Sequence, residues 1–324
     1  MKKSLHLCSL KLLVIALCVA GSVQHADAQL KYEIGINLGP MNFLGDLGGT
    51  QGRGQTFLKD NNYQMYRMMK GITFNLIPNE VITFRVAVNV GTLEGADSII
   101  QGKGGLEEAR RARNQHFKSS LFEAFAATEI YPTALLEEDP SDLVHKLRPY
   151  GLLGVGVFKF NPQAQYTAPD GSKKWVDLQP LRTEGQGMSK YPEKKEYNLT
   201  QINIPYGIGI KYFISDRFNL AFEIVNRKTF TDYVDDVSTT YIADQDFYDH
   251  FGAGETADIA RQVANMSTIL TGGLNRPGYS AGDKRGTATN NDAYYATTFK
   301  LGMRLGNDGG SRYRNQTRCP VVRF

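Results

Sequence analysis

Alternation of apolar and polar residues with a period of two is the strongest pattern in this sequence, and it is typical of a β-strand with one polar and one apolar face. In residues 82–91, Ile82, Phe84 and Val86 alternate with Thr83 and Arg85. The same pattern occurs in residues 30–38, 200–214, 218–225 and 295–305, and less regularly in residues 66–76, 121–130 and 150–160. The sequence therefore predicts an all-β fold with eight strands of about ten residues each, the length of a membrane-spanning strand.

The charges on the polar faces decide how these strands are arranged. An Arg or Lys that faces lipid at mid-membrane costs about 2–4 kcal/mol, so Arg85, Lys211 and Lys300 must point inward in a membrane barrel. The predicted interior charge network consists of Lys31, Glu33, Arg85, Lys211, Glu223, Lys300 and Arg304. Eight strands leave an interior that side chains just fill, so we expect these charges to pair and close it. A soluble barrel or sandwich is the weaker alternative, because its exposed face would be the polar one.

The connections between the predicted strands alternate long and short along the chain. The long connections are residues 39–63, 92–117, 161–199 and 226–292, and the short ones are residues 77–80, 131–148 and 215–217. Outer-membrane barrels have short periplasmic turns and long external loops, so we predict an antiparallel transmembrane β-barrel with long external loops and with both termini in the periplasm. Residues 131–148 are longer than this rule expects.

Lys70 does not fit the alternation. The phase of Ile72 and Phe74 would point Lys70 into lipid. A β-bulge at Met68 and Met69 would turn it inward, and we keep that bulge as a hypothesis.

The two ends of the chain differ from the strand region. A basic start, an apolar stretch at residues 10–19 and small residues within positions 26–28 are typical of a cleavable secretion signal. We therefore expect residues 1–28 to be a signal peptide, residues 29–306 to form the barrel, and residues 307–324 to be a basic periplasmic tail.

No catalytic or metal-binding grouping stands out. His116, His145 and His250 lie in predicted connections without the spacing of metal ligands or of a catalytic triad, so we interpret them as surface histidines. Cys319 is the only cysteine after the predicted signal, which leaves no internal disulfide. We therefore expect no enzymatic activity, no cofactor and no metal. A membrane-embedded enzyme is disfavoured for the same reason.

Aspartates are concentrated after the seventh predicted strand, at Asp232, Asp235, Asp236, Asp244 and Asp246. Calcium binding is one hypothesis, but the central glycine of a known calcium loop is missing, and turn formation is favoured. Residues 45–49 and 184–187 are also interpreted as turns, because a phosphate-binding loop needs a strand that leads into a helix. Residues 104–115 are expected to form a short, solvated surface helix with charge pairs three and four residues apart.

The C-terminal tail is the candidate surface for a partner. Its candidate partner-binding residues are Arg312, Arg314, Arg318, Cys319 and Arg323, against the single acid Asp308. Such a basic arm suits an acidic partner, and disorder without function is the equal alternative. Removal of the predicted signal lowers the formal charge from +4 to +2, because Lys2, Lys3 and Lys11 leave with Asp27, and this near-neutral charge gives no argument for nucleic acid.

Several segments resemble one known family. One is residues 149–162 (PYGLLGVGVFKFNP), and the most specific is residues 227–241 (RKTFTDYVDDVSTTY). The others are residues 39–47, 178–187, 205–211, 290–292, 302–306 and 319–320. Together they resemble the outer-membrane β-barrel family that includes PorG, a component of the type IX protein secretion machinery. Residues 92–147 and 244–286 match that family least.

The resemblance implies a non-enzymatic barrel among outer-membrane lipids that anchors the periplasmic machinery by protein contacts. The expected partners are a ring lipoprotein and the trans-envelope core, and no small-molecule substrate is expected. The alternative is a small outer-membrane transport or ligand-binding barrel that uses its external loops. Membership of a family does not by itself fix the role.

Overall fold

The computed structural model describes residues 30–47, 63–101, 107–136, 146–267 and 278–305. Eight long strands surround the interior, each antiparallel to both neighbours, and the pairing of β4 with β5 closes the sheet into a barrel. The strands are β1 (Lys31–Leu44), β2 (Arg67–Ile77), β3 (Ile82–Ala96), β4 (His116–Ile130), β5 (Leu147–Thr167), β7 (Thr200–Phe213), β8 (Phe218–Thr229) and β9 (Ala293–Leu305), with a short β6 (Lys173–Asp177) outside the wall. The predicted eight-stranded antiparallel β-barrel is confirmed.

The helices lie in the connections between the strands. They are α1 (Glu107–Arg113), α2 (Asp244–Phe251) and α3 (Glu255–Ala264), with 3-10 turns at Tyr63–Met65, Asp97–Ile99, Pro132–Leu135 and Gln179–Leu181. Within the described ranges, no helix combines the length and the apolar character needed to span a membrane.

The barrel has two unlike ends. At one end, here called the turn end, the connections are residues 78–81, 131–146 and 214–217, and both barrel termini lie there. At the other, the loop end, the connections are residues 45–66, 97–115, 168–199 and 230–292. The longer connection at residues 131–146 is the exception that the sequence also indicated.

The register of the strands gives the barrel its tilt. If the paired residues are followed around the barrel from Lys70 in one direction, through β3 and β4, they reach Lys159 on β5. In the other direction, through β1, β9, β8 and β7, they reach Pro149 on the same strand. This offset of ten residues between Pro149 and Lys159 is the shear of the barrel. Shear forces the strands to tilt relative to the barrel axis and, with eight strands, sets an interior that side chains fill.

The outward face of the barrel wall is apolar and the inward face is charged, which is the reverse of a soluble protein. Outward-facing Ile36, Val155 and Ile208 are 60%, 64% and 69% exposed. Inward-facing Arg85 and Lys300, by contrast, are 1% and 0% exposed. A continuous apolar outer belt around a charged interior is stable in lipid, which does not hydrogen-bond, and is unfavourable in water. The wall therefore has the surface of a membrane barrel.

Strand pairing continues beyond the predicted strands at the loop end. β5 runs on to Thr167 and then folds back through β6, which pairs only with the end of β5. β3 and β4 extend together to the pair Ala96 and His116. The sequence prediction ended these strands early because the apolar alternation is lost where the outer face leaves the apolar belt.

The bulge hypothesis for Lys70 is wrong. β2 pairs with β1 without interruption from Arg67 to Ile77, and Lys70 lies opposite Leu38. Its side chain is exposed on the outer face. Lys70 lies near the loop end of its strand, where a long side chain can extend its ammonium towards the polar interface.

Two apolar clusters fill the loop end. The first lies inside the barrel mouth and contains aromatic residues such as Phe43, Phe117 and Phe158. The second lies outside the wall, where α3 and the Gln179–Leu181 turn pack on the extension of β5. The long connections therefore form a packed cap on this end of the barrel.

Candidate functional site

The interior near the turn end contains a buried group of alternating charges. Arg85 forms ion pairs with Glu129 of β4 and, at 2.8 Å, with Glu223 of β8. The hydroxyl of Tyr150 donates a hydrogen bond to Glu223 at 2.6 Å. All four side chains are buried. In this low-dielectric interior each ion pair stabilises its neighbours. Loss of one partner would leave a buried, unpaired charge and lower the stability of the fold.

Two lysines and a third carboxylate complete this group. The ammonium of Lys211 lies 3.4 Å from Glu33 and 3.7 Å from Glu129, and that of Lys300 lies 3.4 Å from Glu129. Glu33 also accepts a hydrogen bond from the amide of Asn219 at 2.7 Å. Three cations face three carboxylates here, so the group is formally neutral.

A second charged layer lies closer to the loop end. Arg227 of β8 pairs with Glu123 of β4, with 3.2 Å between Nε and Oε1. Glu123 also accepts hydrogen bonds from Asn89 and Asn203, each at 2.8 Å, and from the Tyr294 hydroxyl at 2.9 Å. Every polar atom of this carboxylate is therefore engaged with a side chain from another strand.

Lys31 and Arg304 do not reach the closed interior, and the prediction that they belong to its network is wrong. Lys31 bonds Glu80 of the turn between β2 and β3 at 2.9 Å, and its side chain is 38% exposed. Arg148 bonds the same carboxylate at 2.5 Å, and Arg304 approaches it at 3.9 Å. Burial alone would raise the pKa of Glu80, but the hydrogen bonds from Lys31 and Arg148 lower it to about 2. These residues form a charged rim at the turn end.

Buried side chains from opposite strands cross the interior of the described barrel at both charged layers. The cavity inside the rim, lined by Thr83, Tyr131 and Lys211 among others, has a volume of about 10 Å³, which is room for roughly one water molecule. Phe158, the strand partner of Glu123, stacks on Phe160 with ring centroids 5.5 Å apart. The predicted pairing of interior charges therefore occurs, and it closes the barrel.

The sequence analysis missed four members of the interior network, Glu123, Glu129, Tyr150 and Arg227, and two members of the rim, Glu80 and Arg148. Glu123 and Glu129 lie six residues apart on β4, which places both on its inner face. That even spacing was the available signal. It was obscured because the alanines on the outer face of β4 weaken the contrast between its two faces.

Buried arginines fasten the cap at the loop end. Arg113 of α1 donates to Asp97 at 2.7 Å, to the carbonyl of Arg285 at 2.7 Å and to the carbonyl of Asp46 at 2.6 Å. Arg285 in turn bonds Glu184 at 2.9 Å. These contacts join all four loop-end connections. The interpretation of α1 as a solvated helix is corrected at Arg113, which is only 5% exposed.

Three buried aspartates, Asp232, Asp235 and Asp292, and the half-buried Asp46 lie close together beside Arg113 and Arg285. Asp232 and Asp235 follow β8, Asp292 precedes β9 and Asp46 follows β1. Asp235 accepts backbone hydrogen bonds from Leu47 at 2.8 Å and Val237 at 3.0 Å. Burial, with the neighbouring Asp46 charge as a further cause, raises the pKa of Asp232 to about 8 and that of Asp235 well above its ordinary value.

The other predicted members of the aspartate group have different roles. Asp236 pairs with Arg285 at 3.6 Å, while Asp244 and Asp246 lie in the first turn of α2. Among the residues that the structure describes, no three His, Cys, Asp or Glu side chains form a metal-binding group. The calcium hypothesis therefore gains no support from their arrangement.

The histidines also differ from the sequence interpretation. His116 begins β4, is half-buried, and its Nε2 accepts a hydrogen bond from the backbone of Gln165 at 3.0 Å while its ring lies against Trp175. His116 is therefore a structural residue rather than a loop histidine. His250 lies on α2 and packs edge-on against Phe251. Three sequence predictions concern residues outside those that the structure describes. They are His145, the signal at residues 1–28, and the tail with Arg312, Arg314, Arg318, Cys319 and Arg323.

Comparison with known proteins does not assign this chain to a family. Neither a protein-family model nor a curated protein matches the sequence. Solved structures that resemble the fold include Ail, the attachment invasion locus protein of Yersinia pestis (8% identity, 85% of this chain and 98% of that chain, TM-score 0.34). They also include Neisserial surface protein A (7%, 85% and 97%, TM-score 0.36) and a major outer membrane protein from Thermus thermophilus (12%, 85% and 99%, TM-score 0.33).

These similarities are too weak to carry an argument about function. The fold rests instead on the strand pairing and the surface of this chain. The chain folds into an eight-stranded antiparallel membrane β-barrel. Two layers of ion pairs, in which positive and negative charges balance, close its interior, and its own connections cap the loop end.

Proposed function

We propose that this protein is a non-enzymatic outer-membrane component of the type IX protein secretion machinery. In this role it anchors the periplasmic ring and core complex through protein contacts at its turn end. The secretion role is supported by the sequence resemblance in residues 149–162 and 227–241. The observation that carries the scaffold role is the filled interior, in which Arg85, Glu129 and Glu223 occupy the space that a transported solute would need.

The turn end suits an anchoring role for a further reason. In the described part of its rim, three basic side chains, Lys31, Arg148 and Arg304, surround the carboxylate of Glu80. The arginine-rich tail at residues 307–324 continues from the same end. An acidic periplasmic partner would meet positive charge on both, and electrostatic complementarity of this kind favours fast and selective association.

Deletion of the tail tests this proposal. We expect a variant lacking residues 307–324 to insert into the outer membrane normally but to recover markedly less of the ring lipoprotein and trans-envelope core in a pull-down. A matched control replaces Arg312, Arg314, Arg318 and Arg323 by lysine, which keeps the charge and should keep the partners. Unchanged recovery with the tail deleted would reject the tail as the contact, and absence of any secretion subunit with the intact protein would reject the secretion role.

A ligand-binding barrel is the second candidate. The observation that favours it is the packed cap, in which α2, α3 and the extension of β5 share an apolar cluster. A cap of this kind can present a fixed surface to a ligand outside the membrane. Replacing residues 244–264 with a flexible linker would abolish ligand binding under this candidate, whereas the scaffold role predicts unchanged recovery of periplasmic partners.

A further inference from the structure

Three lysines on the outer face of the barrel wall have no counterpart at the turn end. Lys70 on β2, Lys159 on β5 and Lys228 on β8 all have exposed side chains on the outward-facing side of their strands. We call these three residues the outer lysines. Neither the interior network nor the cap involves them.

The outer lysines lie at the edge of the apolar belt nearest the loop end. On β5, outward-facing Val155 and Val157 are 64% and 49% exposed, and Lys159 is the next outward position towards the loops. On β2, Ile72 is 62% exposed and Lys70 is the next outward position. At the turn end of the described strands the last outward positions are all uncharged: Tyr32, Leu76, Ile82, Ile130, Leu147, Tyr212, Phe218 and Leu305.

The charges of the outer lysines are not neutralised by the described part of the chain. None of the three forms a hydrogen bond or an ion pair with a described residue. The nearby acids of the outer surface are already engaged, since Glu94 pairs with Arg67 and Asp177 accepts hydrogen bonds from Asn161 and Gln163. An ammonium at the edge of a hydrocarbon layer needs a polar partner, and lysines in this position extend to the headgroup level to find one.

Two of the outer lysines are close enough to act together. Lys159 is paired with Thr200 of β7, and Lys228 is paired with Ile204 of the same strand. They are therefore separated by two strand spacings of about 4.8 Å and by four residues along the strands, which places their α-carbons about 16 Å apart. Flexible side chains at this separation can bind two phosphate groups of one headgroup or of adjacent lipids.

We propose that the outer lysines bind the phosphate groups of anionic lipids in the leaflet that surrounds the loop end. In the orientation proposed above this is the outer leaflet, so the ligand is a phosphorylated glycolipid. The asymmetry of charge then fixes the depth of the barrel in the membrane, because the lysines hold one edge of the apolar belt at the phosphate level. This inference rests on the membrane location of the barrel and does not depend on the secretion role.

The test compares lipid retention by matched variants of the full-length protein. Each is reconstituted in phosphatidylcholine vesicles that contain a minor fraction of bisphosphorylated lipid A or of the same lipid without phosphates, and lipids retained after mild extraction are counted by native mass spectrometry. A lysine near an anionic surface is worth roughly a fivefold change in binding. We therefore expect K70Q/K159Q/K228Q to retain at least about tenfold less phosphorylated lipid than the unmodified protein.

Two control variants distinguish lipid binding at the outer lysines from nonspecific attraction between anionic lipid and a positively charged protein. The K173Q/K174Q/K195Q variant removes three exposed lysines outside the barrel wall and should retain lipid normally. The K70R/K159R/K228R variant keeps the charge and should also retain it. Equal retention by the protein and K70Q/K159Q/K228Q, equal retention of the lipid without phosphates, or an equal loss in the K173Q/K174Q/K195Q control would overturn the proposal.

Folding and the secretion role are checked separately. The heat-dependent shift in electrophoretic mobility reports whether each variant is folded, and single K159Q and K228Q variants provide the same test if the triple variant does not insert. We expect K70Q/K159Q/K228Q to recover periplasmic subunits as well as the unmodified protein does. Loss of lipid with normal recovery of subunits would support this inference whatever the outcome for the tail.

Discussion

Arg85 of β3 and Glu223 of β8 meet across the interior at 2.8 Å, although their strands share no backbone hydrogen bonds. Backbone pairing holds each strand only to its two neighbours. The pair therefore links opposite sides of the wall, as do Arg227 and Glu123 in the next layer. The cross-section of this barrel is fixed by side-chain charges as well as by the sheet.

Removal of the carboxylate at position 223 should destabilise the barrel strongly. Glu223→Ala leaves Arg85 buried with one partner fewer, and breaking a buried ion pair from one side costs about 3–5 kcal/mol. We expect this loss in the free energy of unfolding, measured by urea titration of the protein in lipid vesicles. Asp244→Ala, which breaks an exposed pair with Arg261 at 3.5 Å, should cost less than about 1 kcal/mol. Equal costs would contradict the role given to the interior pair.

A methyl group at Gly209 should disturb the same network through Tyr150. A Cβ atom there would lie 2.5 Å from the Tyr150 ring and 2.6 Å from its hydroxyl, whose hydrogen bond to Glu223 it would displace. Gly209→Ala is therefore expected to cost about 1–3 kcal/mol. Gly151→Ala is the matched control, because its Cβ meets nothing within 4 Å. If the two variants unfold at the same urea concentration, the close approach of Tyr150 does not matter for stability.

The cap should become less stable as the pH rises from about 4 to about 8. Burial raises the pKa of Asp232 from 3.8 to about 8, so in this window the folded cap keeps a proton that the unfolded segment has released. Folding then takes up a proton, and its free energy becomes less favourable with each pH unit. We expect faster hydrogen exchange of residues 231–242 at pH 8 than at pH 5, after correction for the intrinsic rate.

Asp232→Asn should reduce that pH dependence, since an amide does not titrate in this range, and the raised pKa of the neighbouring Asp235 should account for part of what remains. Asp249→Asn, at an exposed position on α2, should leave it unchanged. A cap whose corrected exchange is the same at both pH values in the unmodified protein would contradict the protonated state of Asp232.

The closed interior predicts the absence of conductance. The rim cavity holds roughly one water molecule, and ion pairs cross the lumen in the charged layers above it. We expect no stepwise current from the purified protein in planar bilayers, with a known porin as the positive control. Steps of uniform size would reject the scaffold role and favour the transport alternative.

The sequence by itself determined the eight strands, their antiparallel order and the orientation of their faces. This was possible because a side chain alternates sides with each residue, so Arg85, Lys211 and Lys300 could face inward only if their apolar neighbours faced out. The alternation weakens on β4, where small outward residues hid Glu123 and Glu129. It also fails beyond the belt, where β5 continues to Thr167 and folds back as β6.

Only the tertiary structure decided which charges pair and where the loops pack. Glu223 and Arg85 are separated by well over a hundred residues, and the register and shear of intervening strands bring them together. The same applies to Arg113, Arg285 and the aspartates at positions 46, 232, 235 and 292, which come from distant connections. A pattern of period two is local to one strand, whereas the contacts across the lumen and within the cap depend on the closure of the whole sheet.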